Sequence, residues 1–245
     1  MTQKRAVASV VTCLLFLIDE HTDCVDAGTA RTRVDIIMNA IRNPHIPRPQ
    51  NEEWVGGEVA RQFWANAIYR ISLPAQTRFI NELQAYLDSI VDEASDRESR
   101  HIRNIEDYFK IRRGTIGAKP LFAICEMYMN IPEEVIRHPV IKKLSELVVN
   151  MIIIGNDLYS YNVEQARGDE IHNLVTIVMH EFKLDIQGAM NWMENFMRIS
   201  PLNFSKNITI YQHPKGNWMR ANESWSFESE RYFARIMTIS SASNK

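Results

Sequence analysis

A chain of 245 residues, 45% hydrophobic and 9% aromatic, carries enough apolar material for a sizeable core, which excludes disorder as its main state. Its 28 basic and 30 acidic residues are interspersed and leave a net charge of -2, so the clustered basic face of a nucleic-acid partner is missing. The three cysteines (Cys13, Cys24, Cys125) are odd in number and lack CxxC spacing, which argues against a disulfide framework or a zinc site and makes a reducing cytoplasm the default.

The start, MTQKR followed by AVASVVTCLLFLI, imitates a secretory leader. The apolar run is too short to span a bilayer and passes into DEHTD without a small-residue cleavage site. A buried helix over residues 5–23, ending in an acidic cluster, is the better reading, with no stable membrane span. A second helix over 29–43 is stopped by Pro44, and the loop HIPRPQNEEWVGG leads to a third over 58–72. The fourth, over 75–98, places Phe79, Leu83, Leu87, Ile90 and Val91 at helical spacing. IEDYFKIRR follows, then a break at Gly114-Thr115-Ile116-Gly117 and the helix KPLFAICEMYM. A long helix starts near Ile141 and runs through NDLYSYNVE; NLVTIVMHEFK and IQGAMNWMENFMRI come next, then a loop over 201–214 and a last helix over 217–238. No period-2 strand, internal repeat or long linker interrupts this order. The expected fold is all-α: one bundle spanning 1–245, with residues 10–18 and 147–154 apolar on most faces as its central elements.

Four stretches carry chemistry. Asn156, Ser160 and Glu164 are spaced i, i+4, i+8 and share one helical face, an all-oxygen set of the kind hard divalent cations prefer. Asp19 and Asp23 are one turn apart, with Glu20 rotated by about 100°; like charges so stacked destabilise a helix by a few tenths of a kcal/mol, unless a cation lies between. Arg112-Arg113 precede a helix break, and Arg231-Tyr232 offer a guanidinium and a phenol on the last helix. Taken singly, each has a bland reading as a solvated surface.

Together, DEHTD at the end of an apolar helix, RRGTIG, NDLYSYNVE and RY resemble, in order and spacing, the motifs of class I terpene synthases, and more narrowly the sesquiterpene synthases of mushroom-forming fungi. The resemblance implies a Mg²⁺-dependent cyclase acting on farnesyl diphosphate, as monomer or homodimer, with three Mg²⁺ ions or Mn²⁺ in their place. It implies metal ligation by Asp19, Glu20, Asp23, Asn156, Ser160 and Glu164. Arg113 would sense the diphosphate, with Ile116 and Gly117 coupling sensing to ionisation, and Arg231 and Tyr232 would bind it. Phe16 and Trp225 match positions whose rings line the family's cavity. Val163 stands where many relatives carry a lysine that contacts diphosphate.

DEHTD and NDLYSYNVEQ look most like the clade that cyclises by 1,11-closure to humulyl-derived tricycles such as Δ6-protoilludene. The family has further helices before the aspartate-rich one, so the sequence reads as lacking the first helices. A chain-elongating prenyltransferase would need a second aspartate-rich motif, which NDLYSYNVE is not. The alternative of another class is a truncated, catalytically inactive helical protein that kept the motifs by descent.

Overall fold

The computed structural model describes the backbone of residues 2–49, 53–126 and 131–210, and the side chains of those between 12 and 198 except Arg70. The described residues form helices and connections, with no strand among them. α1 (Thr2–Thr22), α2 (Ala27–Arg42), α3 (Gly56–Ala67) and α4 (Leu73–Ser99) make the first half, and α5 (Ile105–Thr115) and α6 (Ala118–Glu126) the middle. The short α7 (Glu133–Ile136) leads into α8 (Pro139–Arg167), α9 (Leu174–Phe182) and α10 (Ile186–Ile210).

The boundaries have local causes. Asp26 caps α2 by accepting from Thr29 N at 2.8 Å, and Asn104 caps α5 by accepting from Asp107 N at 2.9 Å. Proline occupies the first turn of α4 and of α8, where its missing N–H has no helical partner to lose. Gly168 ends α8 at φ 80°, the left-handed conformation that glycine adopts without Cβ strain. One expectation is corrected here: α10 does not stop before Pro201 but continues to Ile210. Proline removes only one main-chain hydrogen bond from a helix, and the helix resumes beyond it.

Two apolar clusters hold the bundle. The first joins α1 to α4 and α6 through Leu14, Ile18, Ile37, Ile41, Trp64 and Phe79, with the Trp64 and Phe79 rings stacked at 4.8 Å. The second joins α5, α8, α9 and α10 through Tyr108, Phe109, Ile153, Val178 and Met193. α8 is central as the sequence suggests, with Val149, Ile153 and Ile154 at most 1% exposed. α1 is more one-sided than expected: Leu14, Leu15 and Ile18 are buried, while Cys13 and Phe16 on its other faces are exposed. Where α5 leans on α4, Gly114 is required, because a Cβ there would stand 2.0 Å from Ser89 Oγ. That close approach seats α5 on α4, and α5 also packs against α8.

Candidate metal and diphosphate site

One side of the candidate site is the C-terminal end of α1. Thr22 Oγ1 donates back to Ile18 O at 2.8 Å, and Arg97 Nη2 of α4 donates to Thr22 O at 2.9 Å, so a terminal carbonyl without a helical partner is satisfied by a cation. Asp19 and Asp23 stand here, both solvent-exposed at the helix end but within the field of Glu93, Arg97 and Arg112. Burial raises the Asp19 carboxyl to about 6, with Arg112 opposing and Glu93 and Glu20 adding to the rise. Burial, then Asp19 and Glu93, raises Asp23 to about 7 against Arg97 and Arg112. Glu20 is exposed, on another face of the helix.

The opposite wall is α8. Asn156, Ser160 and Glu164 are all half-buried on one face, as their spacing requires. The register is fixed by Asp157, 1% exposed, whose Oδ2 accepts from Leu174 N at 2.9 Å and from the Tyr108 hydroxyl. Burial raises Asp157 to about 6, while Arg112 and the Tyr108 hydrogen bond pull the other way.

α5 stands between the walls, and its two arginines diverge. Neighbouring helical residues point about 100° apart, so only one of the pair can share a face with Tyr108 and Thr115. Arg112 does. Its Nη2 donates to Asn156 Oδ1 at 2.7 Å and lies 3.5 Å from Asp157 Oδ1, and its Nη1 donates to Thr115 Oγ1 at 3.3 Å. Burial works against its charge, but Tyr108, Asp157, Glu93 and Glu164 hold the guanidinium protonated. Burial likewise opposes ionisation of Glu93, yet Arg112, His172, the Thr115 hydroxyl and Arg97 keep its carboxyl below the usual range. Arg113 points away: its Nε donates to Asn150 Oδ1 at 2.8 Å, its Nη1 pairs with Glu146 at 3.0 Å, and its head lies 5.8 Å from the Phe109 ring centre. Ile116 and Gly117 form the break, where Gly117 takes φ 70° and its Cα packs toward Leu15 of α1 and Tyr86 of α4.

Arg112 thus hydrogen-bonds the α8 oxygen face and acts electrostatically on the α1 carboxylates. Residues 11–200 match the family described as Terpene synthase family 2, C-terminal metal binding. The chain is 52% identical over 236 residues to a Δ6-protoilludene synthase of Hypholoma sublateritium, covering 91% of this chain and 72% of that protein. It is 48% identical over 235 residues to a Δ6-protoilludene synthase of Stereum hirsutum, covering 90% of this chain and 63% of that one. This chain belongs to the terpene synthase family. The linalool/nerolidol synthase from Streptomyces clavuligerus shares the fold at a TM-score of 0.71 and 19% identity, over 81% of this chain and 67% of that one.

Terpene synthases of this family are lyases, and membership implies use of a divalent metal. The donor chemistry here fits such an ion: Asp19 and Asp23 on one wall, Asn156, Ser160 and Glu164 on the other, every donor a hard oxygen. Among the described residues no three carboxylate, imidazole or thiolate groups gather around one point. Mg²⁺ is suited to such a sparse set, since it is commonly held by one or two carboxylates with water and substrate phosphate completing its shell.

Of the expected site residues, Asn156, Ser160 and Glu164 share one face of α8, Asp19 and Asp23 stand at the end of α1, and Arg112 hydrogen-bonds the first set and acts on the charge of the second, while Arg113 is turned toward Asn150 and Glu146. Phe16 is 50% exposed on α1, and Val163, at the place of the family's lysine, is 44% exposed. Trp225, Arg231, Tyr232 and the expected last helix lie outside the described residues. Glu93, Arg97, Tyr108 and Asp157 are not among the motif ligands, yet they set the charge and register of this site. The spacings Glu93–Arg97 and Tyr108–Arg112–Thr115, each repeating every three or four residues, were the available signal. Among the described residues no helix is long and apolar enough to cross a membrane.

Proposed function

We propose that this chain ionises farnesyl diphosphate, with release of diphosphate, and cyclises the resulting cation by 1,11-closure, through a humulyl cation that rearranges and finally loses a proton, to Δ6-protoilludene. The observation that supports this reading most is Arg112, which hydrogen-bonds the α8 oxygen face and acts on the charge of the α1 carboxylates, in a chain about half identical to Δ6-protoilludene synthases. Asp19 and Asp23 would hold metal on one side and Asn156, Ser160 and Glu164 on the other, three Mg²⁺ ions in all, or Mn²⁺ in their place. The bound metal would supply Lewis-acid activation of the diphosphate leaving group.

This chain's own groups do the rest. Arg112 is a fixed cation beside the α8 oxygens, placed to take up negative charge as the carbon–oxygen bond lengthens. Because an allylic cation is quenched by water, the reaction needs a dry recess. Phe16, half exposed on α1, is kept as an aromatic ring lining the cavity. An aromatic face stabilises a desolvated cation by roughly 2 kcal/mol. Arg113, Ile116 and Gly117 are kept as the segment that couples diphosphate binding to movement of α5. Arg231 and Tyr232 are kept as further diphosphate ligands.

Incubation of the purified chain with farnesyl diphosphate and Mg²⁺, followed by gas chromatography–mass spectrometry of the volatiles, tests the reaction and its product. A tricyclic sesquiterpene hydrocarbon is expected. A folded chain that yields only farnesol or nothing contradicts the cyclase reading; a monocyclic humulene contradicts only the onward conversion to protoilludene, and a product of another ring closure contradicts the 1,11-closure.

A further inference from the structure

Asn173 is fully buried, with none of its surface exposed, at the start of α9. A buried primary amide must satisfy one acceptor and two donor hydrogens. The acceptor is used locally: Oδ1 takes the Val175 N–H at 2.9 Å and caps α9. The donor end is aimed at α8. Nδ2 lies 2.9 Å from Asp157 O, 3.0 Å from Glu164 Oε2 and 3.4 Å from Ser160 Oγ. One side chain therefore reaches two of the three α8 oxygens assigned above to metal, and the carbonyl of the residue after the third. The neighbouring Leu174 N–H bonds the Asp157 carboxylate, so the first turn of α9 is locked to α8 at the triad itself.

We propose that Asn173 is the positioning residue of the α8 metal triad. Its amide orients the Glu164 carboxylate by bonding Oε2, which leaves Oε1 for an ion, and it keeps the Ser160 hydroxyl in the same register. Capping alone does not explain the choice of residue, because serine and aspartate cap helices about as well as asparagine. Only an amide both caps α9 with its oxygen and donates across to a carboxylate with its nitrogen. Groups that orient metal ligands typically contribute about 10- to 100-fold to metal affinity or activity.

This inference rests on the assignment of Asn156, Ser160 and Glu164 to metal, so its test carries a control for that assignment. Mn²⁺ binding is measured by electron paramagnetic resonance on the full chain with inorganic diphosphate and without substrate, for wild type, Asn173→Ser and Glu164→Gln. Serine keeps the cap and loses the reach to Glu164. The expected result is about 10- to 100-fold weaker Mn²⁺ binding by Asn173→Ser, loss of high-affinity binding by Glu164→Gln, and metal-free melting of Asn173→Ser close to wild type. Wild-type Mn²⁺ affinity in Asn173→Ser, with binding lost in Glu164→Gln, overturns the role of Asn173. Wild-type affinity in Glu164→Gln overturns the underlying triad assignment instead. Asn173→Thr, of nearly the same volume as asparagine and also a capping residue, replaces the serine variant if that one does not fold. Loss of the metal-free fold in both makes Asn173 a structural residue only and overturns the proposal.

Discussion

Arg112 Nη2 lies 2.7 Å from Asn156 Oδ1, so the buried cation of α5 and the first oxygen of the α8 triad meet directly. Arg113, one residue on, is spent on Asn150 and Glu146. The two arginines should therefore respond differently to the same change. Arg112→Gln leaves Asp157 and Glu93 without their shared cation, and removing one partner of such a buried pair costs about 3 kcal/mol or more. Arg113→Gln removes a partly exposed pair, worth about 1 kcal/mol or less, and one hydrogen bond. Urea denaturation should show the larger loss for Arg112→Gln, and diphosphate release should fall at least tenfold further in that variant. Equal losses would mean that the register of α5 about Arg112 is not the one that matters.

Asp19 and Asp23 repel each other where burial already disfavours their charge. Asp19→Asn relieves that repulsion, so metal-free stability should stay level or rise slightly while turnover is lost. Circular dichroism melting and product formation measure the two effects separately. A variant that is both inactive and clearly less stable would identify Asp19 as a structural group rather than a metal ligand.

The pH dependence of stability has a source away from the site. Burial raises the Glu126 carboxyl from 4.5 to about 7, with Arg78 opposing and Glu82 and Glu133 adding to the rise. Arg78 Nε is 3.6 Å from Glu126, while its Nη1 binds Glu133 more closely at 2.7 Å. Between pH 4.5 and about 7 the folded chain keeps a proton that the unfolded chain has released. The stability that this proton contributes is complete below pH 4.5 and is lost as pH rises through 7. The loss is at most ~1.4 kcal/mol per pH unit. Glu126→Gln should flatten the slope between pH 5 and 7, as read from urea midpoints. An unchanged slope would exclude Glu126 as its source.

Much of this was legible in the sequence because helices repeat every 3.6 residues. The α8 triad shares a face because its spacing demands it, and the α1 pair does for the same reason. What stayed hidden depends on how helices are rotated against one another. RRGTIG names two arginines but not which one turns inward; that is decided by Tyr108 and Thr115 on the face of Arg112 and by Gly114 against Ser89 of α4. Phe16 reads as a cavity ring by its place before Asp19, yet it is half exposed on α1, since spacing along one helix says nothing of what lies across from it. Asn173 looked like an ordinary start of a helix, because nothing in NLVTIV shows that its amide reaches Glu164. Pro201 read as a stop, and the backbone passes through it.

The central claim is that the α1 carboxylates and the α8 oxygens act as one metal–diphosphate site. Isothermal titration of inorganic diphosphate into the chain, with and without Mg²⁺, measures this most directly. The account predicts binding that requires Mg²⁺ and is lost alike in Asp19→Asn and Asn156→Ala, though the two residues stand on opposite walls. Binding of equal strength without Mg²⁺, or retained in either variant, would contradict it.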